Sequence, residues 1–179
     1  MVAPIPVGPG GRRVMLSDRR CRGAAASDAR RIAREIVKAR QVAPIQTTAE
    51  LREIVAKAIP RRAWPANIDP ATRVFQALRI EVNRELDELN EVLEKLPGLA
   101  RPGARIAIIT FHSLEDRPVK KAFRSWCTGC ICPPEIVVCV CGRKPMFRAI
   151  TGRPVTADEA EMADNPRARS AKLRVVERL

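Results

Sequence analysis

Four side chains that can accept hydrogen bonds or exchange protons stand together near the middle of the chain. They are His112, Ser113, Glu115 and Asp116, and His112 is the single histidine among the 179 residues. The apolar run just before them, residues 106–111, predicts a strand buried on both faces within a parallel sheet. In such a sheet, ligands bind where the carboxyl end of a strand passes directly into the first turn of a helix. The four residues are therefore candidates for a binding or catalytic site.

The same residues also have a purely structural interpretation. Ser113 can cap the helix that follows, and Glu115 and Asp116 fall in its first turn, where the helix dipole favours anions. Arg117 would then be their ion-pair partner, and His112 would orient a backbone group. The sequence leaves both interpretations open.

Five of the six cysteines crowd into one short segment. Their pattern is Cys127-x-x-Cys130-x-Cys132 and then Cys139-x-Cys141. In a reducing compartment, such clusters indicate metal binding or free thiols before disulfides. Paired cysteine knuckles are typical of a tetrahedral zinc site, so all five are candidate zinc ligands. The alternative is a small hairpin packed with free thiols.

The charge balance indicates a polyanionic partner. Thirty-three basic residues face 20 acidic ones, which gives a net charge of +13 and a pI near 10.5. Nucleic acid is the interpretation we favour over a solvated basic surface. Because aromatic residues make up only 3% of the chain, we expect phosphate contacts and a pocket to hold RNA, with little base stacking.

Two basic segments are the candidate RNA contacts. One lies on a predicted helix and the other is the terminal motif, with Arg117 beside the candidate site between them. Arginine suits phosphate because its guanidinium fork binds two oxygens at once. A solvated helix face and a basic loop packed on the sheet are the alternatives. The candidate residues are Arg73, Arg79, Arg117, Asn165, Arg167, Arg169 and Lys172.

Helical periodicity organises the first half of the chain. Residues 1–26 show no sustained period and predict a poorly ordered tail. A first helix begins at Ser27, and Thr47 and Glu50 form a capping box that starts a second. A third and longest helix is predicted from Pro70 to Leu96. Residues 27–100 thus predict three antiparallel helices.

The second half predicts strands around one helix. Short strand-like runs are expected near residues 136–140 and 146–150, and the alternation of residues 171–175 predicts a half-buried terminal strand. The chain has no apolar run long enough for a membrane span, and its N-terminus lacks the apolar block of a signal peptide. We therefore expect a cytoplasmic protein.

Three long motifs carry a resemblance to a known family. They are TRVFQALRIEVNRELDEL, FHSLEDR and NPRARSAKLRVVER. In this order they resemble the bacterial 16S ribosomal RNA cytosine-N4 methyltransferases, the MraW or RsmH family, over residues 29–179. The resemblance implies an α/β fold class, a partial Rossmann-like methyltransferase sheet with an inserted three-helix domain. Residues 27–100 would be the helical insertion that recognises RNA, and residues 101–179 the C-terminal part of the methyltransferase domain.

The resemblance also implies a reaction. The family transfers a methyl group from S-adenosylmethionine to the exocyclic N4 amine of a cytidine in 16S ribosomal RNA, within the small subunit. Such a transfer requires an aligned amine and acceptors for its hydrogens, but no covalent nucleophile. His112, Ser113, Glu115 and Asp116 are then the candidate catalytic residues.

The family's cofactor-binding residues have no counterpart here. The VGPGGRR segment is the only glycine-rich candidate, but no strand is predicted before it and no acidic residue follows at the end of a second strand. We therefore expect a truncated chain that is inactive alone. The alternatives are a non-catalytic basic RNA-binding module and a zinc-stabilised interaction protein.

Overall fold

The chain folds into two compact units, Met1–Glu85 and Leu86–Leu179. The segments with helical periodicity form three helices in the first unit. The computed structural model describes residues 5–7, 12–14, 26–64, 68–133, 135 and 138–179. Two short strands precede the helices: β1 (Ile5–Val7) and β2 (Arg12–Val14), which pair in antiparallel. The expectation that no strand precedes the glycine-rich segment is therefore wrong, although residues 8–11 themselves lie outside the described residues. The helices are α1 (Ala26–Val42), α2 (Thr48–Ala58) and α3 (Thr72–Val82).

The first unit has an apolar core of its own. Ile32 and Ile36, one turn apart on α1, are only 1% and 2% exposed and belong to the same cluster as Val55 of α2 and Val74 of α3. Trp64 packs against this cluster and donates its indole N–H to the carbonyl oxygen of Ile59 at 3.0 Å. The predicted amphipathic helices thus pack through the faces that their periodicity indicates.

The predicted capping box starts α2. The Thr47 hydroxyl accepts a hydrogen bond from the Glu50 amide at 3.2 Å, and the Glu50 carboxylate accepts one from the Thr47 amide at 3.3 Å. Backbone hydrogen bonds, with the Gln46 amide first, hold the pKa of Glu50 below its ordinary value. The orphan amides of the first turn are thereby satisfied.

Replacing Thr47 with alanine is expected to destabilise the first unit by about 1 kcal/mol, because an N-cap side chain is lost. Thermal unfolding followed by far-ultraviolet circular dichroism measures the effect. Thr48→Ala is the matched control, since Thr48 is the first helical residue and not the cap. Equal unfolding temperatures for the two variants would contradict the capping role.

The predicted third helix is interrupted. It breaks after α3, where Arg84 adopts the left-handed φ of +55°, and α4 (Glu85–Leu99) then begins. The amide of Asn83 closes α3 on the carbonyl oxygen of Arg79, and Arg79 pairs with Glu85 across the break at 2.8 Å. α4 also continues through Pro97, which was expected to end it. The apolar period runs on across the break, so periodicity alone cannot locate it.

A three-stranded antiparallel sheet forms the second unit, in the order β3-β5-β4. Its helices α4 and α5 contribute to one core with the sheet. The remaining elements are β3 (Arg105–Thr110), α5 (Ser113–Cys127), β4 (Phe147–Ala149), α6 (Glu159–Asp164) and β5 (Lys172–Arg178). The mixed helix and strand content agrees with the predicted α/β class.

The predicted surroundings of β3 are wrong in this structure. Among the described strands it has one neighbour, β5, and the pairing is antiparallel. Thr110 is 2% exposed, but Ile109 is 57% exposed, so one face packs inward and the other is open. An apolar run shows that a strand is favoured, but it contains no information about which neighbours cover its faces.

Cross-strand ion pairs agree with the register of the sheet. β5 is central, and its Glu177 lies opposite both Arg105 of β3 and Arg148 of β4. Both arginines donate hydrogen bonds to the Glu177 carboxylate, and these bonds hold its pKa below the ordinary value. The terminal strand predicted from alternation is thus confirmed, but as the middle strand of the three.

The core of the second unit lies between α5 and the sheet. Val119, Phe123 and Trp126 line one face of α5 and belong to the same cluster as Phe147 of β4 and Val176 of β5. Trp126 lies between the two phenylalanine rings, with ring centroids 5.2 Å from each. The described helices include none that combines the length and the apolar character needed to cross a bilayer.

Candidate functional site

The turn from β3 into α5 carries the predicted site residues. His112 is the N-cap of α5, where Ser113 was expected, and Ser113 is the exposed first residue of the helix. His112 Nδ1 accepts a hydrogen bond from the Glu115 amide at 3.3 Å. The capping group is therefore an imidazole, and histidine is not among the residue types usually preferred at an N-cap.

Glu115 completes a capping box with His112. Its Oε2 accepts hydrogen bonds from the amides of Phe111 at 2.9 Å and His112 at 3.3 Å. Because His112 Nδ1 is an acceptor, the neutral ring carries its proton on Nε2. That nitrogen is buried and lies 3.2 Å from Glu115 Oε1, although the two are not aligned as a hydrogen bond. The carboxylate is thus held in one orientation beside an N–H group.

Asp116 of α5 forms an ion pair with Arg174 of β5. The guanidinium donates to both carboxylate oxygens, at 2.7 and 3.1 Å, and the two side chains are 14% and 12% exposed. The Arg174 hydrogen bonds hold the pKa of Asp116 below its ordinary value, although burial opposes the shift. The expected partner was Arg117, but the structure places Arg174 in this position.

Strand register brings the terminal motif to the same edge. Lys172, the first residue of β5, lies opposite Thr110, the last residue of β3, and so stands close to His112. Asn165 caps the short 3-10 helix Pro166–Ser170 by accepting a hydrogen bond from the Arg167 amide at 3.2 Å. Ala168 of this turn is buried, whereas the arginines on either side of it, Arg167 and Arg169, are exposed.

A cavity of about 300 Å³ lies between α5 and residues of the sheet. Its rim carries three cations, Lys120 and Arg124 of α5 and Arg174 of β5, and its wall includes Phe123 and Val176. Sequence reasoning missed Lys120 and Arg124. Their spacing of four residues places them on one helix face, which is the signal that would have found them.

The remaining predicted RNA contacts lie on α3 and α5. Arg73 is exposed on α3 of the first unit. Arg79, on the same helix, is paired with Glu85 by two hydrogen bonds of 2.8 and 3.1 Å. Arg117 is exposed on α5.

Four of the five candidate metal ligands converge. The Sγ atoms of Cys130, Cys132, Cys139 and Cys141 all lie within 4.8 Å of one another, and Cys127 is not part of this group. Backbone hydrogen bonds lower the pKa of Cys141 to about 6. A backbone hydrogen bond from Cys132 lowers the pKa of Cys130, but contacts with neighbouring thiols outweigh it and raise that pKa to about 12.

Comparison with known proteins identifies the family. The MraW methylase family matches residues 22–179. The chain therefore belongs to the MraW methylase family.

Individual relatives carry a more specific name. Proteins called "Ribosomal RNA small subunit methyltransferase H" from Geobacter sp. (strain M21) and Geobacter sulfurreducens are 56% and 58% identical to this chain over 151 residues. The counterpart from Anaeromyxobacter sp. (strain Fw109-5) is 56% identical over the same length. These matches cover 84% of this chain and 48 to 49% of each relative, so the chain spans about half the length of the curated relatives it matches.

The described residues do not fit the methyl donor that the family implies. S-adenosylmethionine is typically held by a glycine-rich turn between a strand and a helix, with a carboxylate at the end of a second strand. In the described part of the chain, β3 is the strand that passes directly into a helix, and its connection, Phe111 and His112, contains no glycine.

Proposed function

We propose that this chain provides the RNA-facing part of an enzyme that methylates the exocyclic N4 amine of a cytidine in 16S ribosomal RNA. The observation that carries the proposal is the identity of 54 to 58% to proteins named ribosomal RNA small subunit methyltransferases. S-adenosylmethionine is the methyl donor in this proposal, and the small ribosomal subunit is the partner. Because the described residues offer no site for the donor, we expect the chain alone to be inactive.

Glu115 is our candidate acceptor for the amine hydrogen. Methyl transfer leaves the nitrogen with a proton to lose, and a carboxylate has about four lone-pair positions, of which two are already used at Oε2. Oε1 is left facing the buried His112 Nε2. In this proposal Oε1 accepts the proton, and His112 is a positioning residue that fixes the carboxylate.

We propose different tasks for the other two candidates. Asp116 is already occupied by two hydrogen bonds from Arg174, so its task is to fix α5 against the sheet. Ser113 is exposed at the first position of α5, near where an RNA backbone would pass. In this proposal both residues belong to the site, but neither transfers a proton.

The cations along this edge are proposed to hold the RNA backbone. Arg167, Arg169 and Lys172 lie on the segment that register places beside the end of β3. Phosphate contacts position an RNA without reading its sequence, so this surface would set where the target cytidine enters. Arg117 would extend the same basic surface from α5. Arg73 and Arg79 are the proposed RNA contacts of the first unit.

A chimera tests the proposed function. The 151 matching residues of this chain replace their counterparts in the Geobacter sulfurreducens relative, and methyl transfer to unmodified small subunits is measured with labelled S-adenosylmethionine. We expect transfer, and we expect Glu115→Gln to reduce its rate by about 100-fold, the usual contribution of a proton acceptor. The amide keeps an oxygen for the Phe111 and His112 amides but removes the charge.

One control variant and two further outcomes complete the test. Ile150→Ala changes an exposed residue away from the site and should leave the rate unchanged. A folded chimera with no transfer would contradict the proposed function. Normal transfer by the Glu115→Gln chimera would instead contradict only the role of Glu115.

A further inference from the structure

Four cysteine sulfurs lie together in one small cluster. Cys139 Sγ lies 3.5 Å from Cys141 Sγ, which in turn lies 3.8 Å from Cys130 Sγ, and Cys132 completes the group within 4.8 Å. A zinc ion with Zn–S bonds of about 2.3 Å holds its sulfurs about 3.8 Å apart. The spacing is therefore close to that of a tetrathiolate site, without a bond between any two sulfurs.

The segment that carries these cysteines has little else to hold it. Between α5 and β4, in the described residues from Thr128 to Met146, no helix or strand forms. Ile131, Val138 and Val140 are 60 to 76% exposed, so these three apolar side chains do not form a core. A loop of this length in a folded domain needs some other source of order.

Hydrogen bonds join the C-terminal part of the loop to α5. Arg143 donates hydrogen bonds to the carbonyl oxygen and the hydroxyl of Ser125, and the Met146 amide donates to the Trp126 carbonyl oxygen at 2.9 Å. These contacts position the described end of the loop beside the end of α5.

A backbone amide points at one of the sulfurs. The Cys132 amide donates to Cys130 Sγ at 3.4 Å. Donors around the ligand atoms are the outer contacts that orient and stabilise metal-bound groups. The Cys132 amide is such a donor for Cys130.

We propose that Cys130, Cys132, Cys139 and Cys141 bind one structural Zn²⁺ ion, which orders the loop between α5 and β4. Four protein sulfurs fill the coordination sphere, so the site has no open position for a water or a substrate. Cys127 is not a ligand, because it belongs to α5 and lies outside the group. The site is separate from the proposed methyl transfer.

Metal analysis of the full 179-residue chain tests the proposal. The protein is purified under reducing conditions without chelator, and its metal content is measured by elemental analysis and native mass spectrometry. We expect one zinc per chain in the wild type and in Cys127→Ser, and loss of the metal in Cys130→Ser and Cys141→Ser. Cys127→Ser is the matched control because it removes a neighbouring thiol outside the cluster.

Cobalt titration of the wild type keeps the test independent of variant folding. Co²⁺ added to the chelator-treated protein should give the intense visible absorption of a tetrahedral thiolate site, and added Zn²⁺ should abolish it. Absence of this spectrum in a protein that also purifies without zinc would overturn the proposal. So would equal metal loss in Cys127→Ser and Cys130→Ser, iron in place of zinc, or a disulfide within the cluster under reducing conditions.

Discussion

Phe147→Ala should destabilise the second unit by about 3 to 5 kcal/mol, the range for removing a buried phenylalanine side chain. Phe147 is 1% exposed, stacks at 5.2 Å against Trp126, and has the Arg178 guanidinium 5.1 Å from its ring. A cavity at this position therefore removes contacts from α5 and from β5 together. The expected result is a large fall in the denaturant midpoint of this unit.

Trp126 makes the measurement specific to its unit. The chain has two tryptophans, and Trp64 belongs to the other core, so a Trp64→Phe background leaves Trp126 as the fluorescent reporter. Ile150→Ala is the matched control, since Ile150 is three residues away and 44% exposed. A midpoint for Phe147→Ala no lower than that of the control would refute the packing described here.

Asp116→Asn is expected to lower the stability of the second unit by about 2 to 3 kcal/mol, between the values for exposed and for fully buried ion pairs. The substitution leaves the Arg174 guanidinium, 12% exposed, without its carboxylate. The same Trp126 reporter measures the midpoint. Asp164→Asn is the control because that carboxylate is exposed at the end of α6.

The effect of Asp116 also has a defined pH dependence. Arg174 lowers the folded-state pKa of Asp116 below its ordinary value of 3.8, which the unfolded chain retains. The stabilisation is therefore complete above that value and disappears as pH falls through the folded-state pKa. Stability curves of the wild type and Asp116→Asn should converge on acidification. A constant difference from neutral to strongly acidic pH would show that the carboxylate charge is not the cause.

Local chemistry made the helices of the first unit predictable. The amphipathic period gave α1 and α2, and the Thr47 and Glu50 pair marked the start of α2, because capping is decided by residues within one turn. The helix break at Arg84 could not be predicted in the same way. Its left-handed backbone carries no sequence signal in an arginine, and the apolar period continues across it.

Long-range pairing was the part that the sequence could not supply. The β3 strand and its turn into α5 were predicted, but its antiparallel partner lies more than sixty residues later along the chain. The choice of Arg174 over Arg117 for Asp116 depends on that pairing, as does the placement of Lys172 near His112. Cysteine spacing suggested a metal site, but only the fold separates Cys127 from the four sulfurs that converge.

The outer margin of β3 is an open strand edge in the described part of the chain. Alternate amide and carbonyl groups there point away from β5, and no described strand receives them. Ile109 and Phe111, both more than half exposed, add apolar surface beside this edge. Such a border is a template for self-association by strand addition. We expect Ile109→Lys to place a charge on this edge and to reduce self-association in concentrated samples.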